Sequence, residues 1–400
     1  MKILLVSISF PPKKDPECIQ TARYFKYLSA IPSLDFEILT TSKTQNMPFD
    51  QSMKKYDKGY MSKTEIKLVE NKFLNSIISR VYPSLFFPDF KSQFIRKSKK
   101  VCLAEKPDVI YSRSFPVSSA VASYFLHRRL EVPWIMHLSD PWSLTPLHSY
   151  SQGTLEKHKK MEVICIQSAS AITFTSKKTV ELYQKHYPEF SNRFHYFPNV
   201  FDESDYRITD FGWKKTIKIV HTGGLIGSRN PSYFFDAFKK LNPEERSHFE
   251  IIFAGDTDRN SKRILGEMTH QFPNEVKYLG LLSQENAQDL QRSADLLLAI
   301  DNPINDFKLS LFFPSKLLDY FLAQRKIIAI TPRESTTSEI LSSHYIFEHQ
   351  NSDKLAQHLR NSIQNHRLKN VDFFYNSDIP EEYSARFQAE KLSKLISSYA

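Results

Sequence analysis

Short apolar runs recur along the chain, and most are followed by a stretch whose apolar positions fall three and four apart. KILLVSI (2–8) leads into IQTARYFKYLSA (19–30) and then FEILTT (36–41). PDVIYSR (107–113), SSAVASYFLHRRL and PWIMHLSD (133–140) repeat that succession of strand, helix, strand. SAITFTS (170–176) precedes TVELYQKHY, and FHYFPNVFD (194–202) follows. Strands that alternate with helices predict a parallel sheet covered on both faces.

The pattern restarts at IKIVHTGGL (217–225), followed by the helical NPSYFFDAFKKL. HFEIIFAGD (248–256), VKYLGLL (276–282), ADLLLAID (294–301) and KIIAIT (326–331) are further strands. The reading is therefore an α/β chain of two doubly wound units: a first domain over 1–198, a polar hinge over 199–216, a second domain over 217–382 and an amphipathic helix over 383–400. In open sheets of this kind ligands bind outside the carboxyl ends of the strands, so the expected site is a cleft between two facing domains.

Composition agrees and narrows the class. A chain of 400 residues has room for about two domains. Hydrophobic residues at 41% and charged residues at 24% are globular values, and no apolar run reaches the length of a membrane span. The N-terminal MKILLVSISFPP has no small-residue cleavage site, so it reads as a first strand rather than a leader. Cys18, Cys102 and Cys165 stand far apart, which fits a reducing compartment and no metal-ligand spacing. The expected location is cytoplasmic.

The net charge of +10 calls for an anionic partner. Between Lys91 and Lys106 six Lys or Arg stand against Glu105 alone, just after the aromatic SIISRVYPSLFFPDF. Residues 73–106 thus have the make-up of a segment that rests on an anionic membrane, at the inner face of the cell membrane, and equally that of a solvated basic helix beside a core segment. No helix-turn-helix or zinc motif accompanies the charge, so nucleic acid is not the expected partner.

Four clusters carry candidate chemistry. In FFPSKLLDYFLAQRKIIAIT (312–331), Ser315 is placed to cap a helix whose free N–H groups and Lys316 would meet an anion. Asp319, three residues on, would accept hydrogen bonds from a vicinal diol. The same residues would also make a capped helix with an internal Lys–Asp pair. In HTGGLIGSRNPSYFF (221–235), Gly223 and Gly224 let backbone approach a ligand, and Arg229 could fork onto phosphate oxygens or simply face solvent. In WIMHLSDPWS (134–143), a strand ends in His137, Ser139 and Asp140, with His137 and Ser139 on one face. A histidine on such a strand is also an ordinary core residue. FPPKKDPECIQTARYFKYL (10–28) is a loop and helix carrying Arg23, which reads as a surface charge.

These places, in this order, resemble the retaining glycosyltransferases of family-4 type, in the branch that builds bacterial capsule, O-antigen and exopolysaccharide. FPPKKDPECIQTARYFKYL is similar to that branch's "PP…R…L" opening, HLSDPWS to its "DxW" strand end and FPNVFD to its "PNGFD" hinge. ADLLLAID followed by PSKLLDYFLAQRKIIAI is similar to "ADxxL…PSKLxEYxAxGKPVIA". The resemblance spans nearly the whole chain and implies the GT-B fold of two facing Rossmann-like domains. It implies that Asp319 holds the ribose of a nucleotide, and that Ser315, Lys316, Arg229, Gly223 and Gly224 surround its diphosphate. It also implies that Asp140, with His137 and Ser139, lies on the acceptor or donor-sugar side. Asp140, Arg229 and Lys316 would then be the catalytic set. Three positions depart from the pattern: Leu311 stands where the family has a first acid, Gly224 where an arginine is frequent, and Ser139 where a histidine or arginine precedes the cleft acid.

The expected activity is transfer of a sugar from a nucleotide-diphosphate sugar to a saccharide or lipid-linked saccharide, with retention, in surface polysaccharide synthesis. The nucleotide sugar is a co-substrate, and neither a metal nor an organic cofactor is expected. Two other functions fit the same fold: a nucleotide-sugar epimerase, and a non-catalytic binding subunit, which the loss of the acid at Leu311 favours.

Overall fold

Both faces of the central strands are buried, as the apolar runs require. The computed structural model describes residues 1–43, 49–69, 86–145, 150–205, 207, 212–303 and 309–400. Residues 206 and 208–211 of the expected hinge and residues 73–85 of the basic aromatic segment lie outside these. The chain divides into two units, Met1–Asp202 with Glu382–Ala400, and Glu203–Glu381.

The first unit is a parallel sheet of β1 (Lys2–Val6), β2 (Asp35–Thr41), β3 (Ser62–Ile66), β4 (Val109–Ser114), β5 (Trp134–Leu138), β6 (Ala171–Phe174) and β7 (Phe194–Tyr196). Its strand order is β3-β2-β1-β4-β5-β6-β7, so the winding reverses between β1 and β4. The second unit repeats the plan. There β8 (Ile217–Thr222), β9 (Phe249–Ala254), β10 (Val276–Tyr278), β11 (Leu296–Ile300), β13 (Lys326–Ile330) and β15 (Tyr345–Phe347) lie in the order β10-β9-β8-β11-β13-β15, and β12 (Leu309–Ser310) pairs with β14 (Glu334–Ser335) outside that sheet. Here the reversal falls between β8 and β11. At each reversal the loops leaving two neighbouring strands part to opposite faces, and the opening between them is where such sheets bind ligands.

Among the elements that the hydrophobic pattern missed are β3, β15 and the helix Gln152–Ser168, each for a physical reason. β3 (SKTEI) and β15 lie at sheet edges, where partial exposure tolerates polar or sparse apolar residues. The helix Gln152–Ser168 buries His158 and Glu162 beside Cys165 and Ile166, so half of its inner face is polar.

The C-terminal helix, Ala385–Ser397, begins at Ser384, whose hydroxyl accepts from Phe387 N at 3.1 Å. It packs Ala385, Ala389, Leu392 and Ile396 into the core that holds Ile3, Leu5 and Phe25. The last stretch of chain thus completes the first unit.

Arg23 is not the surface charge that its helix suggested. It is 2% exposed, and its Nη1 donates to Val200 O at 2.9 Å. Gln20 accepts from Val200 N at 2.7 Å and Tyr24 donates to Pro198 O at 2.7 Å. The helix Pro16–Leu28 therefore satisfies the backbone of 198–200, which has no strand to pair with.

The buried Asp202 ends this segment. It accepts two hydrogen bonds from Lys26 Nζ, at 2.8 and 2.9 Å, and one each from the Tyr27 and Tyr56 hydroxyls at 2.8 Å. Removing a buried carboxylate that three residues share takes one acceptor away from a cation and from two hydroxyls. Asp202→Ala is expected to cost about 3 kcal/mol in urea unfolding of the first unit; a loss under about 1 kcal/mol would show that the cluster contributes little.

Candidate functional site

At the reversal of the second sheet, β8 ends in His221 and Thr222 and the chain turns at Gly223. His221 is 1% exposed and its Nδ1 lies 2.9 Å from Leu298 O on β11, so Nδ1 carries the proton and Nε2 is an acceptor. Burial holds the imidazole well below its ordinary range, and Lys316 beside it lowers it further. Tyr320, fully buried, pins the same strand end: its hydroxyl accepts from Thr222 N at 3.0 Å and donates to Leu298 O at 3.1 Å. Gln291 Nε2 donates to Thr222 Oγ1 at 2.7 Å.

Gly223 has φ +108° and Gly255, after β9, has φ +141°; a Cβ on Gly255 would lie 2.2 Å from Gly223 O. Only glycine lets these two turns pass so closely. A Cβ on Gly223 would in turn meet Lys316 Nζ at 3.7 Å. The backbone here is bare, and a buried basic group lies beside it.

Lys316 reaches this turn from the helix Lys316–Leu322, with Nζ 3.3 Å from His221 Nε2. Burial drives the amine well below its ordinary range, Arg229 lowers it further and Asp301 raises it. Arg229, in the loop after β8, has a buried Nε with no hydrogen-bond acceptor. Two basic side chains thus share a small space, and no carboxylate among the described residues hydrogen-bonds to either. Asp301, at the end of β11, is already taken up by Thr331 Oγ1 at 2.9 Å, Thr337 Oγ1 at 2.8 Å and Asn302 N at 2.7 Å.

The other expected residues of this unit fall differently. Ser315 is not an N-cap: its backbone is already helical, and its side chain makes no capping hydrogen bond. Leu317 N bonds to Pro314 O at 3.0 Å, so the turn starts one residue earlier than the serine pattern suggests. Lys316 and Asp319 do not turn the same way. Asp319 faces the helix Gln284–Arg292, where Gln284 Nε2 donates to it at 3.2 Å, and it lines a recess with Gln288, Gln291 and Arg292. Gly224 follows the turn with ordinary backbone, and a Cβ there would meet Ile226 at 3.7 Å. Leu311 is 6% exposed.

In the first unit, β5 delivers His137, Ser139 and Asp140. His137 is fully buried, with Nδ1 2.8 Å from Thr173 Oγ1, and its Nε2 is without a partner. Burial and Arg113 hold it neutral. Ser139 Oγ rests on the Glu17 carboxylate and lies 2.6 Å from Ser114 O. Glu17 also receives Arg113 Nε at 3.0 Å, which ties the start of the helix Pro16–Leu28 to the ends of β4 and β5. Asp140 is exposed. Glu17, Arg113, His221 and Asp301 were not singled out from the sequence; a charged residue at the end of an apolar strand was the signal available for the last three.

Solved structures share this architecture. The chain is similar to Anabaena Alr3699/HepE in complex with UDP-glucose, at 14% identity and a TM-score of 0.68, with 100% of both chains covered. It is similar to sucrose-phosphate synthase from Thermosynechococcus elongatus, at 13% identity and a TM-score of 0.68, covering 99% of this chain and 98% of that one. It is also similar to the lipopolysaccharide outer core galactosyltransferase WaaB, at 13% identity and a TM-score of 0.62, with 100% of both covered. The fold is GT-B. No family model and no curated protein matches the sequence.

The loop that carries Asp140 is anchored from below. Ser143 N donates to Glu162 Oε2 at 3.1 Å, while the hydroxyls of Ser143 and Tyr183 also bond to that carboxylate. Tyr183 OH in turn accepts from Trp142 N at 2.9 Å. Burial pushes the Glu162 carboxyl up from 4.5 to about 7, against the pull of these hydrogen bonds. The unfolded chain gives up this proton first, so stability should fall as pH rises from 4.5 to about 7. Thermal unfolding across that range should show a shallower fall in Glu162→Gln than in the native chain. Equal slopes would mean that Glu162 is ionised throughout.

Proposed function

We propose that the chain is a glycosyltransferase that moves a sugar from a nucleotide-diphosphate sugar to a saccharide or lipid-linked saccharide, with retention, in surface polysaccharide synthesis. The observation that carries this reading is the pair of basic groups, Lys316 and Arg229, set against bare glycine backbone at the reversal of the second sheet. Two basic groups to which no carboxylate among the described residues is hydrogen-bonded are poised for an anion of two or more charges, and the diphosphate of a nucleotide is such an anion. The GT-B neighbours support the donor class, since HepE was solved with UDP-glucose and WaaB is a galactosyltransferase of the lipopolysaccharide core.

The chemistry asked of these residues is electrostatic. As the bond from the anomeric carbon to the diphosphate breaks, negative charge grows on the leaving oxygens. Lys316 and Arg229, fixed in a buried setting, would stabilise that charge more than they stabilise the intact donor. Asp319 serves as acceptor for the ribose diol and Gln284 orients it. On the first unit Asp140, exposed at the strand end, would meet the acceptor or the donor sugar, with Ser139 and Glu17 holding the strand end in place. The buried His137 acts through packing and not by contact with substrate. The apolar Leu311 favours a second reading, a non-catalytic nucleotide-sugar binder.

Thermal unfolding with UDP, GDP, ADP and CMP tests the site. A nucleotide at 100 times its Kd stabilises by about 2.7 kcal/mol, which raises Tm by a few degrees. One diphosphate is expected to shift the native chain and to shift Asp319→Ala less; no shift with any of the four would remove the reading. Turnover of a labelled donor then separates the transferase from the binder.

Residues 73–106 are proposed as a membrane-facing segment for a lipid-linked acceptor. Within its described part Phe90 is 64% exposed, beside the helix Gln93–Ser98 that carries Arg96 and Lys97. No helix among the described residues is long and apolar enough to cross a membrane. Sedimentation with anionic vesicles at low salt should carry the protein down, and added salt should release it; a protein that stays in solution would exclude this contact.

A further inference from the structure

We propose that Lys316 is a neutral amine in the empty site and becomes an ammonium when a diphosphate enters, so that ligand binding takes up one proton from solvent. The inference rests on the reading of this site as a diphosphate site, and adds to it a change of charge on the protein itself.

The geometry around Nζ carries it. The groups that face Lys316 come from four places: His221 from the end of β8, the backbone of Gly223, Arg229 from the following loop and Asp301 from the end of β11. His221 offers a lone pair, because its Nδ1–H is committed to Leu298 O at 2.9 Å. A neutral imidazole can accept one hydrogen from an amine, but it supplies no counter-charge. The Arg229 guanidinium repels a second positive charge beside it. Among the described residues Asp301 is the acid that acts on Lys316, and its carboxylate already accepts from two threonine hydroxyls and a backbone N–H. A buried ammonium so placed lacks both solvent and a hydrogen-bonded counter-charge among the described residues, and the inexpensive state is the amine. Burial and Arg229 accordingly hold Lys316 well below the ordinary range of a lysine.

A bound diphosphate reverses the balance. Its oxygens bring at least two negative charges against Nζ and the guanidinium, and the amine then gains a proton as the anion arrives. His221 does not compete for that proton, since it stays deprotonated beside the new cation. The device keeps the empty site from holding two unpaired charges. It also delivers a full cation to the leaving group once the donor is in place.

Calorimetry of UDP binding to the full chain tests this, with GDP and ADP as alternative probes. Each titration is run between pH 7.8 and pH 8.6 in two buffers of different ionisation enthalpy. In that window the free diphosphate has largely lost its last proton and the bases keep theirs, so uptake reports on the protein. The expected result is an uptake of about one proton and a Kd that rises about tenfold per pH unit in the native chain. Lys316→Arg, charged at every pH in the range, should bind with no uptake and a flat Kd. Heat that is independent of buffer in the native chain overturns the proposal and leaves the diphosphate site standing. Equal uptake in the native chain and in Lys316→Arg assigns the proton elsewhere and also overturns it. If none of the three nucleotides binds, the site reading fails and this inference fails with it.

Discussion

Burial of both faces of a parallel sheet is the constraint on which this protein depends. A strand sandwiched between two helical layers has no water on either side, so its polar and charged residues are driven to its ends. Each unit places its unusual side chains there: Arg113, Ser114, Ser139 and Asp140 at the ends of β4 and β5 or just beyond, and His221, Thr222, Gly223 and Asp301 likewise at β8 and β11. The winding reverses beside β1 and again beside β8, and those two openings collect these residues.

Concentrating polar groups in this way creates a second demand, because each must find a partner or shift its charge. The first unit mostly meets it with partners. Arg113 pairs with Glu17, Arg23 and Gln20 hold the backbone of 198–200, and Asp202 gathers three donors. The second unit leaves part of the demand unmet. Tyr320 and Gln291 satisfy the end of β8, and the threonines satisfy Asp301, yet the Arg229 Nε is orphaned and Lys316 has only a neutral imidazole. Such incompletely paired, buried basic groups are costly to fold around, and they mark the place where a ligand of opposite charge would repay that cost.

The sequence by itself determined the class and count of the units. Apolar runs such as LLLAI and KIIAI can only be central strands, and the alternation restarts once. It also determined that Lys316, Arg229 and the glycines after β8 lie at strand or helix ends, because Gly, Pro and charge punctuate the apolar runs. Tertiary structure decided what these residues meet. Lys316 and Asp319 sit three apart on one short helix, but one turns to β8 and the other to the helix Gln284–Arg292; spacing fixes a shared helix and not the neighbours each side chain finds. Arg23 looks like a surface charge in sequence and is buried, since backbone at 198–200 needed a donor from 177 residues away. The edge strand β3 and the helix Gln152–Ser168 escaped the pattern because partial exposure and a half-polar inner face remove the apolar period. Local sequence states which groups must leave the core, and only the packed fold states which of them arrive at the same place.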